Sequence, residues 1–367
     1  MPPRALLSLV LALPLLAPAL LPTPAYAAPS RAALQAALDA VVASGAPGAV
    51  AEARDEAGRW TGTSGAADLD GTPVPANGRW RIGSVTKTIV AALILQLAGE
   101  GKLGLDDAIG GHLPGLLPRG DRITVRMLLN HTSGLGDYAR TWDGTPAGFR
   151  RLATTTYTPQ QLIDRGTALP AGPPGGPWAY SNTGYIALGL LAEKLTGQSL
   201  SRALLERIFI PQRLDDTYLP TTSRAIPGPH LHGHTTDEQG RLEDITRFDS
   251  SNAWAAGGVV STAAALNRFF ILLAHGQLFP AHLVTQMKRT VPGPGPGLDY
   301  GLGLMRLTLP CGRQVWGHKG HIPGYATYSF HDARRSLTVA ANAMHSLDDG
   351  ATDQAINRLL TAEFCAP

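Results

Sequence analysis

Residues 81–103 read RIGSVTKTIVAALILQLAGEGKL. Between residues 89 and 98 the single polar residue is Gln96, and a helix that is apolar all round is normally buried in a core. The same stretch nevertheless begins with Ser84 and, three residues later, Lys87. The sequence therefore predicts a core helix whose first turn carries a charged residue for a reason other than solubility.

Ser84 and Lys87 are placed to act together, because side chains three residues apart are neighbours on a helix surface. A serine hydroxyl is a weak nucleophile until a base removes its proton, and burial lowers the pKa of a lysine enough to make its amine such a base. Backbone N–H groups at the same helix N-terminus can bind a developing oxyanion. The alternative is an N-capping serine followed by a lysine whose amino group reaches solvent.

Length and composition indicate a globular protein that works on a small molecule or a peptide. The chain of 367 residues is 44% hydrophobic, which is enough for a large core in one elaborate domain or in two. Its formal net charge is +3, and only 16% of its residues are charged. No run of basic residues indicates a nucleic-acid partner.

Residues 1–27 have the pattern of an export signal peptide. Arg4 supplies the positive end, residues 6–21 supply the apolar stretch, and AYA at residues 25–27 is the small-residue cleavage site. A membrane anchor is the alternative, but the apolar stretch is short and is interrupted by Pro14 and Pro18. No later stretch is long and apolar enough to span a bilayer. We therefore expect a secreted protein whose mature form has no stable membrane span.

The order of predicted elements gives an α/β protein of the α+β type. After an amphipathic helix at residues 30–43, residues 48–68 read as two strands with a turn at 56–58. Four more strands are predicted within residues 300–343, followed by a helix that ends near Phe364. The Pro/Gly-rich segment VPGPGPGLD, residues 291–299, is predicted to be a loop.

These elements predict an antiparallel β-sheet flanked by helices, with an inserted helical domain. The sheet domain would consist of residues 28–80 together with residues 277–367, because both parts of the chain are rich in predicted strands. Residues 81–276, which contain helices and long loops, would form the mainly helical domain.

A second candidate site segment is GGPWAYSNTGYIALGLLAEKLTG, residues 175–197. Tyr180 and Asn182 are two residues apart, so in an extended segment both side chains leave on the same side. A phenol can relay a proton, and a carboxamide can hold both a lysine and a substrate amide. The alternative is a helix cap at Ser181 or Asn182 with Tyr180 packed nearby.

A third segment, VWGHKGHIPGYATY, residues 315–328, carries His318, Lys319 and Gly320 on a predicted strand. A glycine inside a strand often marks the close approach of a ligand or of another backbone. His318 would support the tyrosine and lysine electrostatically, and the N–H after Gly320 would be a second oxyanion donor. The alternative is a purely structural histidine.

Taken in order, SVTK, YSN and HKG resemble the three motifs of the penicillin-recognising serine enzymes. The chain closely resembles exported D-alanyl-D-alanine carboxypeptidases and class C β-lactamase-like proteins, and the similarity covers nearly all of the mature chain. The resemblance implies that family's fold, an active site between the sheet and the helical domain, and an acyl-enzyme mechanism. It implies D-Ala-terminated peptides or related D-amino-acid acyl donors and β-lactams as partners, and neither a metal nor an organic cofactor.

The resemblance also assigns roles to individual residues. Ser84 would be the nucleophile, Lys87 its activating partner and Tyr180 the general acid/base. Asn182 would position the amide, and His318 would be the third-motif residue. The oxyanion hole would consist of the backbone N–H groups of Ser84 and His321. The expected substrate-binding residues are Lys319, Gly320, His321 and Trp254.

Three positions depart from the family's pattern. Lys319 and His321 occupy positions where the carboxypeptidases have hydroxyl residues, and Met305 aligns with an arginine that binds the substrate's terminal carboxylate. Arg306 is adjacent, but alternation along a strand would turn it to the other face. How the substrate carboxylate binds therefore stays open. The activities that remain alongside the favoured carboxypeptidase are β-lactamase, D-aminopeptidase or amidase, and esterase.

A protein that keeps the fold and only binds cell-wall peptides or β-lactams is the alternative from another class. The presence of Ser84, Lys87 and Tyr180 argues against it, since a binding protein has no need of an activated nucleophile.

Cys311 and Cys365 are the two cysteines of the chain. Two cysteines in an exported protein can pair, and the resulting disulfide would tie the C-terminal helix to a strand. Two free thiols are the alternative.

Overall fold

The strands come mainly from the two ends of the chain, as predicted. The computed structural model describes residues 29–56, 58–344 and 350–366, so the proposed signal peptide, residues 1–27, lies outside the described residues. The described strands, in chain order, are β1 (Gly48–Asp55), β2 (Gly58–Gly65), β3 (Trp80–Arg81), β4 (His234–Thr236), β5 (Leu242–Asp244), β6 (Val260–Ser261), β7 (Val291–Gly295), β8 (Leu298–Tyr300), β9 (Met305–Thr308), β10 (Gln314–Ile322), β11 (Tyr325–His331) and β12 (Ser336–Ala341). Eight of them form one antiparallel sheet in the order β2-β1-β12-β11-β10-β9-β8-β7, while β3 pairs with β6 and β4 with β5.

The helices lie mostly in the middle of the chain. In chain order, the described α-helices are α1 (Arg31–Ala43), α2 (Thr86–Gly99), α3 (Ile109–His112), α4 (Val125–Leu129), α5 (Pro146–Thr154), α6 (Pro159–Thr167), α7 (Asn182–Thr196), α8 (Leu200–Leu204), α9 (Trp254–Gly257), α10 (Ala263–Ala274), α11 (Ala281–Met287) and α12 (Gly350–Phe364). Within the described residues, none of these helices has both the length and the apolar character needed to cross a membrane.

One face of the large sheet is covered by α1 and α12. Ala49 and Ala51 of β1 belong to the core of this face, together with Leu38 of α1 and Leu359 of α12. The intervening residue, Val50, belongs to the core on the opposite face. Because both faces are covered, the first six residues of β1 are all buried, and the strand does not alternate between apolar and polar residues. The predicted architecture, an antiparallel sheet flanked by helices, is confirmed.

The helix α2 runs through the core on that opposite face. Eleven of its residues are buried, and they include the polar residues Thr86, Lys87 and Thr88 of the first turn. The helix contacts α7 and α9 as well as β10 of the sheet. Contacts on several sides explain why this stretch of sequence is apolar all round, as expected for a core helix.

The helix α10 packs on the sheet, although it lies within the range predicted to be the helical domain. The Nδ2 group of Asn267 donates to the backbone oxygen of Glu52 on β1 at 2.8 Å, and Oγ1 of Thr338 on β12 donates to Asn267 Oδ1 at 2.8 Å. All three side chains are buried. The inserted segment therefore also supplies a helix that covers the sheet.

Residues 291–299, which were predicted to be a loop, form part of the sheet edge. Val291 pairs with Tyr300 and Pro292 pairs with Asp299, and the register shifts between Pro292 and Gly295. Proline has no N–H to donate and is therefore tolerated on an edge strand or at a bulge, and β7 is both. The loop prediction was wrong because a high Pro/Gly content does not exclude an edge strand.

Candidate active site

The three sequence motifs meet at the N-terminal end of α2. Ser84 lies in a single 3-10 turn, Gly83–Val85, directly before the helix. A side chain at Gly83, whose φ is 52°, would come within 2.8 Å of the backbone N of His321 on β10. A side chain at Gly320 would lie 2.1 Å from the backbone oxygen of Ile82. Glycine at both positions therefore allows the end of β10 to contact the turn that carries Ser84.

Lys87 is held by three oxygen atoms. Its Nζ atom lies 3.0 Å from Ser84 Oγ and donates to Asn182 Oδ1 at 2.7 Å and to the backbone oxygen of Ala256 at 2.6 Å. The side chain is completely buried. Burial lowers the pKa of Lys87 from 10.5 to about 7, although the charge of Asp137 opposes the change. A large fraction of the amine is therefore neutral at neutral pH and able to accept the proton of Ser84.

Tyr180, which belongs to the YSN motif, contacts the same serine. Its hydroxyl donates a hydrogen bond of 2.8 Å to Ser84 Oγ, and its ring centroid lies 4.9 Å from Lys87 Nζ. Burial raises the pKa of Tyr180, so the phenol is protonated at neutral pH. Ser84 Oγ thus lies between an amine that can take a proton and a phenol that can donate one.

Asn182 is the first residue of α7, and Asp137 fixes its orientation. The Nδ2 group of Asn182 donates to Asp137 Oδ1 at 3.0 Å and Oδ2 at 3.2 Å, and the backbone N–H donates to Oδ1 at 3.1 Å. With Nδ2 engaged in this way, Oδ1 of Asn182 faces Lys87. The sequence analysis missed Asp137, because it lies 45 residues before Asn182 and belongs to none of the three motifs.

His318 lies behind the site and not in it. Its Nδ1 atom is 2.5 Å from the backbone oxygen of Lys319, which can only accept, so Nδ1 carries the proton. Its Nε2 atom consequently accepts from the hydroxyl of Tyr300 at 2.9 Å. Burial, reinforced by the charge of Lys87, lowers the pKa of His318 to about 3. His318 therefore lies near the catalytic groups without bonding to them, since neither of its ring nitrogens bonds to Ser84 or Tyr180.

A cleft of about 650 Å³ opens in front of Ser84. Its helical wall combines polar site residues with apolar side chains, and its other wall comes from the strands and from the start of α12. The lining residues from the helical part include Asp137, Tyr138, Trp142, Phe149, Leu152, Trp178, Tyr180 and Asn182, and those from the sheet side include Leu298, Met305, Lys319, His321 and Asp353.

On the sheet side of the cleft, the alternation along β9 and β10 has the predicted effect. Lys319 and His321 both line the cleft, as does Met305. Arg306 points away, because its guanidinium donates to Asp299 Oδ2 at 2.6 Å. This wall of the cleft therefore carries the cation Lys319. At the position where the carboxypeptidases have an arginine, it carries the thioether of Met305.

Trp254 is not among the residues that line the cleft. It begins α9 with an unusual φ of 33°, and a side chain at Gly189 of α7 would come within 2.7 Å of its indole ring. The indole thus packs against α7. A contact between Trp254 and substrate stays a prediction.

His131 is another residue of the site that the sequence analysis did not include. It is buried, its ring centroid lies 4.3 Å from that of Tyr180, and its Nδ1 atom accepts from the backbone N–H of Ser181 at 3.2 Å. Burial and the charge of Lys87 lower the pKa of His131 well below its ordinary value. The neutral imidazole therefore supports the Tyr180 ring from behind.

Cys311 and Cys365 are paired in the structure, with their Cα atoms 5.9 Å apart. The pair joins the turn before β10 to the residue that follows α12. The described residues contain no cluster of histidine, cysteine, aspartate or glutamate arranged to hold a metal ion.

The chain matches a family model, and it is similar to individual relatives and to solved structures. The family model described as Beta-lactamase matches residues 34–362. Penicillin-binding protein 4* of Bacillus subtilis is 28% identical over 287 residues, which are 74% of this chain and 62% of that protein, so the chain spans less than two thirds of this relative's length.

Two solved structures cover almost all of the chain. A D-stereospecific amidohydrolase from Streptomyces sp. superimposes with a TM-score of 0.84 at 37% identity, covering 92% of this chain and 100% of the other. The D-amino acid amidase from Ochrobactrum anthropi superimposes with a TM-score of 0.81 at 27% identity, covering 90% and 97%. The family match spans most of the chain, and Ser84, next to the buried Lys87, lines the cleft between sheet and helices. The chain therefore belongs to the β-lactamase family.

Proposed function

We propose that the protein is a D-stereospecific amidohydrolase, which cleaves the amide bond on the carbonyl side of a D-amino-acid residue through an acyl-enzyme on Ser84. The observation that carries the proposal is that Ser84 Oγ is contacted by both a buried Lys87 amine and the Tyr180 phenol. The preference for D-residues is supported by the similarity to a D-stereospecific amidohydrolase and a D-amino acid amidase along at least 90% of the chain.

Acylation of Ser84 follows from the positions of these groups. Neutral Lys87 takes the hydroxyl proton as Oγ attacks the carbonyl carbon, and the negative oxygen that forms is bound by the backbone N–H groups of Ser84 and His321. Tyr180 then gives its proton to the leaving nitrogen while the C–N bond breaks, and it recovers a proton from Lys87. The product is an ester on Ser84 together with a free amine or ammonia.

Deacylation uses the same groups with water as the nucleophile. Neutral Lys87 removes a proton from the water as it attacks the ester carbonyl, and Tyr180 gives its proton to Ser84 Oγ when the C–O bond breaks and recovers one from Lys87. Asn182 holds Lys87 in place, because its Oδ1 atom accepts from Nζ.

A D-alanyl-D-alanine carboxypeptidase, which the sequence analysis favoured, is the second candidate. Lys319 supports it, because a cation on the cleft wall suits the free carboxylate of a leaving D-residue. Met305 argues against it, because a thioether cannot pair with that carboxylate. The absence of the arginine and the two D-amidase structures lead us to place the amidohydrolase first.

The proposal includes secretion and acylation by penicillin. Secretion is supported by the signal-peptide pattern of residues 1–27, and acylation by the membership of penicillin-binding proteins among the relatives. The proposed acylation and deacylation steps use neither a metal nor an organic cofactor.

The test is a panel of matched substrates. We expect D-amino-acid amides and D-amino-acid p-nitroanilides to be hydrolysed, their L-enantiomers to be poor substrates, and Ser84→Ala to abolish all turnover. Peptides that end in D-Ala-D-Ala, with free and amidated C-termini, separate the two candidates. Preference for the free-acid peptide over every amide would favour the carboxypeptidase, and equal rates for D- and L-amides would contradict the proposed stereospecificity.

A further inference from the structure

Among the described residues, the end of β10 that reaches the active site has a strand partner on one edge only. Pairing with β9 stops at Gly317, whereas pairing with β11 continues to Ile322. The free edge of residues 318–322 faces the Ser84 turn, where Gly83 and Gly320 allow backbone to approach backbone. The position of this strand end therefore decides how the His321 N–H lies relative to Ser84.

Asp353 contacts the His321 side chain from the other side. Its Oδ1 atom lies 2.8 Å from Nε2 of His321, and both side chains line the cleft. Asp353 is in the first turn of α12, which begins at Gly350. No sequence motif singled it out, because it follows His321 by 32 residues on a different element.

The Asp353 carboxylate is set up as an acceptor. Burial opposes its ionisation, but the hydrogen bond and charge of His321, the charge of Lys319 and a hydrogen bond from Tyr328 outweigh burial and lower the pKa of Asp353. The ring of Tyr328 also stands edge-on to the His321 imidazole, with their centroids 6.1 Å apart. The imidazole is therefore fixed by a charge-assisted hydrogen bond and by an aromatic contact.

The helix that carries Asp353 is itself anchored to the strand it supports. Cys365 directly follows the last residue of α12 and forms the disulfide with Cys311, three residues before the start of β10. The disulfide thus joins the residue after α12 to the segment before β10, and the first turn of α12 contacts the other end of β10 through Asp353 and His321. An anchored helix gives Asp353 a fixed position from which to hold the strand end.

We propose that Asp353 is a positioning residue, which holds the end of β10 against the Ser84 turn by its hydrogen bond with His321 and so keeps the His321 N–H in place for the oxyanion. The inference rests on the proposed acyl-enzyme mechanism and names a residue that shapes its transition state. An oxyanion donor acts through its position, and displacement by about 1 Å can lower a rate by about 100-fold.

The experiment compares Asp353→Ala and Asp353→Asn with Gln354→Ala, a matched control at the exposed neighbouring position of α12. The assays are steady-state kinetics on a neutral ester and a D-amino-acid p-nitroanilide, and inhibition by phenylboronic acid, whose tetrahedral adduct with Ser84 resembles the transition state. Neither the ester nor the boronic acid requires that the enzyme prefer D-residues.

For Asp353→Ala we expect kcat to fall about 10-fold to 100-fold on both substrates with little change in KM, and the inhibition constant of phenylboronic acid to rise by a similar factor. Asp353→Asn should retain most of the activity, since its Oδ1 atom still accepts from Nε2. Gln354→Ala should match the wild type. His321→Ala should show the loss of Asp353→Ala, and the double variant should add nothing further. If Asp353→Ala does not fold, His321→Ala and Asp353→Asn still test the inference.

Three results would overturn the inference: Asp353→Ala with kcat within about twofold of the wild type, a change confined to KM, or an Asp353→Asn variant as impaired as the alanine variant. The first would remove the positioning role, the second would make Asp353 a direct substrate contact, and the third would make its charge the active element. A wild-type enzyme that the ester does not acylate at all would instead refute the proposed function.

Discussion

The pH at which Ser84 becomes reactive should follow the protonation of Lys87. Burial lowers the pKa of Lys87 from 10.5 to about 7, and the negative charge of Asp137 opposes that change. At pH 7 about half of the amine is then neutral, compared with roughly 1 part in 3,000 for a lysine of ordinary pKa. The site thus gains about three orders of magnitude in the concentration of competent base.

The perturbation that tests this reasoning is Asp137→Asn. Removing a negative charge that stabilises the ammonium form should lower the pKa of Lys87 further, by about one pH unit. The amide can still accept from Asn182, so the geometry of the hydrogen bond to Asp137 Oδ1 can be retained. The acylation rate of the variant should therefore reach its plateau at lower pH than that of the wild type.

The measurement is the rate of acylation by a fluorescent penicillin or a neutral ester between pH 5 and pH 10 in single-turnover experiments. We expect the wild-type rate to rise with a midpoint near pH 7 and to fall about tenfold per pH unit well below it. Asp143→Asn is the matched control, because Asp143 is a more exposed carboxylate that accepts from the backbone N–H of Thr145. Its profile should coincide with that of the wild type.

Two results would refute the reasoning. A wild-type midpoint near pH 10 would mean that Lys87 keeps its ordinary pKa and is protonated at working pH. A midpoint that moves upward in Asp137→Asn would mean that the carboxylate does not stabilise the ammonium form, and the assignment of Lys87 as the base would then have to be abandoned.

Gly320 on β10, the Cys311–Cys365 disulfide and Lys319 on the cleft wall each give a further prediction. Gly320→Ala should lower kcat/KM by about 100-fold or more, because the added methyl would lie 2.1 Å from Ile82 O, whereas Gly295→Ala, in open space, should be neutral in the same assay. Loss of the Cys311–Cys365 disulfide, which spans 54 residues, should lower the free energy of unfolding by about 4 kcal/mol in the chain-entropy model, and identical urea midpoints with and without reductant would contradict this. Lys319→Met should lower kcat/KM for a free-acid peptide about 10-fold to 100-fold and leave a neutral ester unchanged, and equal losses would mean that the lysine is structural.

Local spacing predicted which side chains lie together within each motif, and the resemblance to the family predicted that the motifs share one site. Lys87 is three residues after Ser84, and Tyr180 and Asn182 come from one short segment, so each motif carries its own geometry. The sheet was predictable for a similar reason, because strand periodicity and turn residues are local signals.

The residues that orient those groups were not predictable in this way. Asp137 acts on Asn182, and Asp353 acts on His321, through contacts between separate elements that no short pattern encodes. Sequence motifs therefore identified the reacting atoms better than the contacts that hold them.

The lysine at the head of a buried helix has a thermodynamic cost that follows from the same pKa. In the unfolded chain Lys87 keeps a pKa near 10.5, and in the folded protein its pKa is about 7. Between these values the unfolded chain binds the additional proton, so the folded state loses stability as the pH falls from 10.5 to 7, and below about 7 the loss is complete at about 5 kcal/mol. The apolar residues that follow Lys87 in α2 are nearly all buried and offset this cost. Because the burial that stabilises the core is also what lowers the pKa of the amine, a core helix is the element that can carry the base.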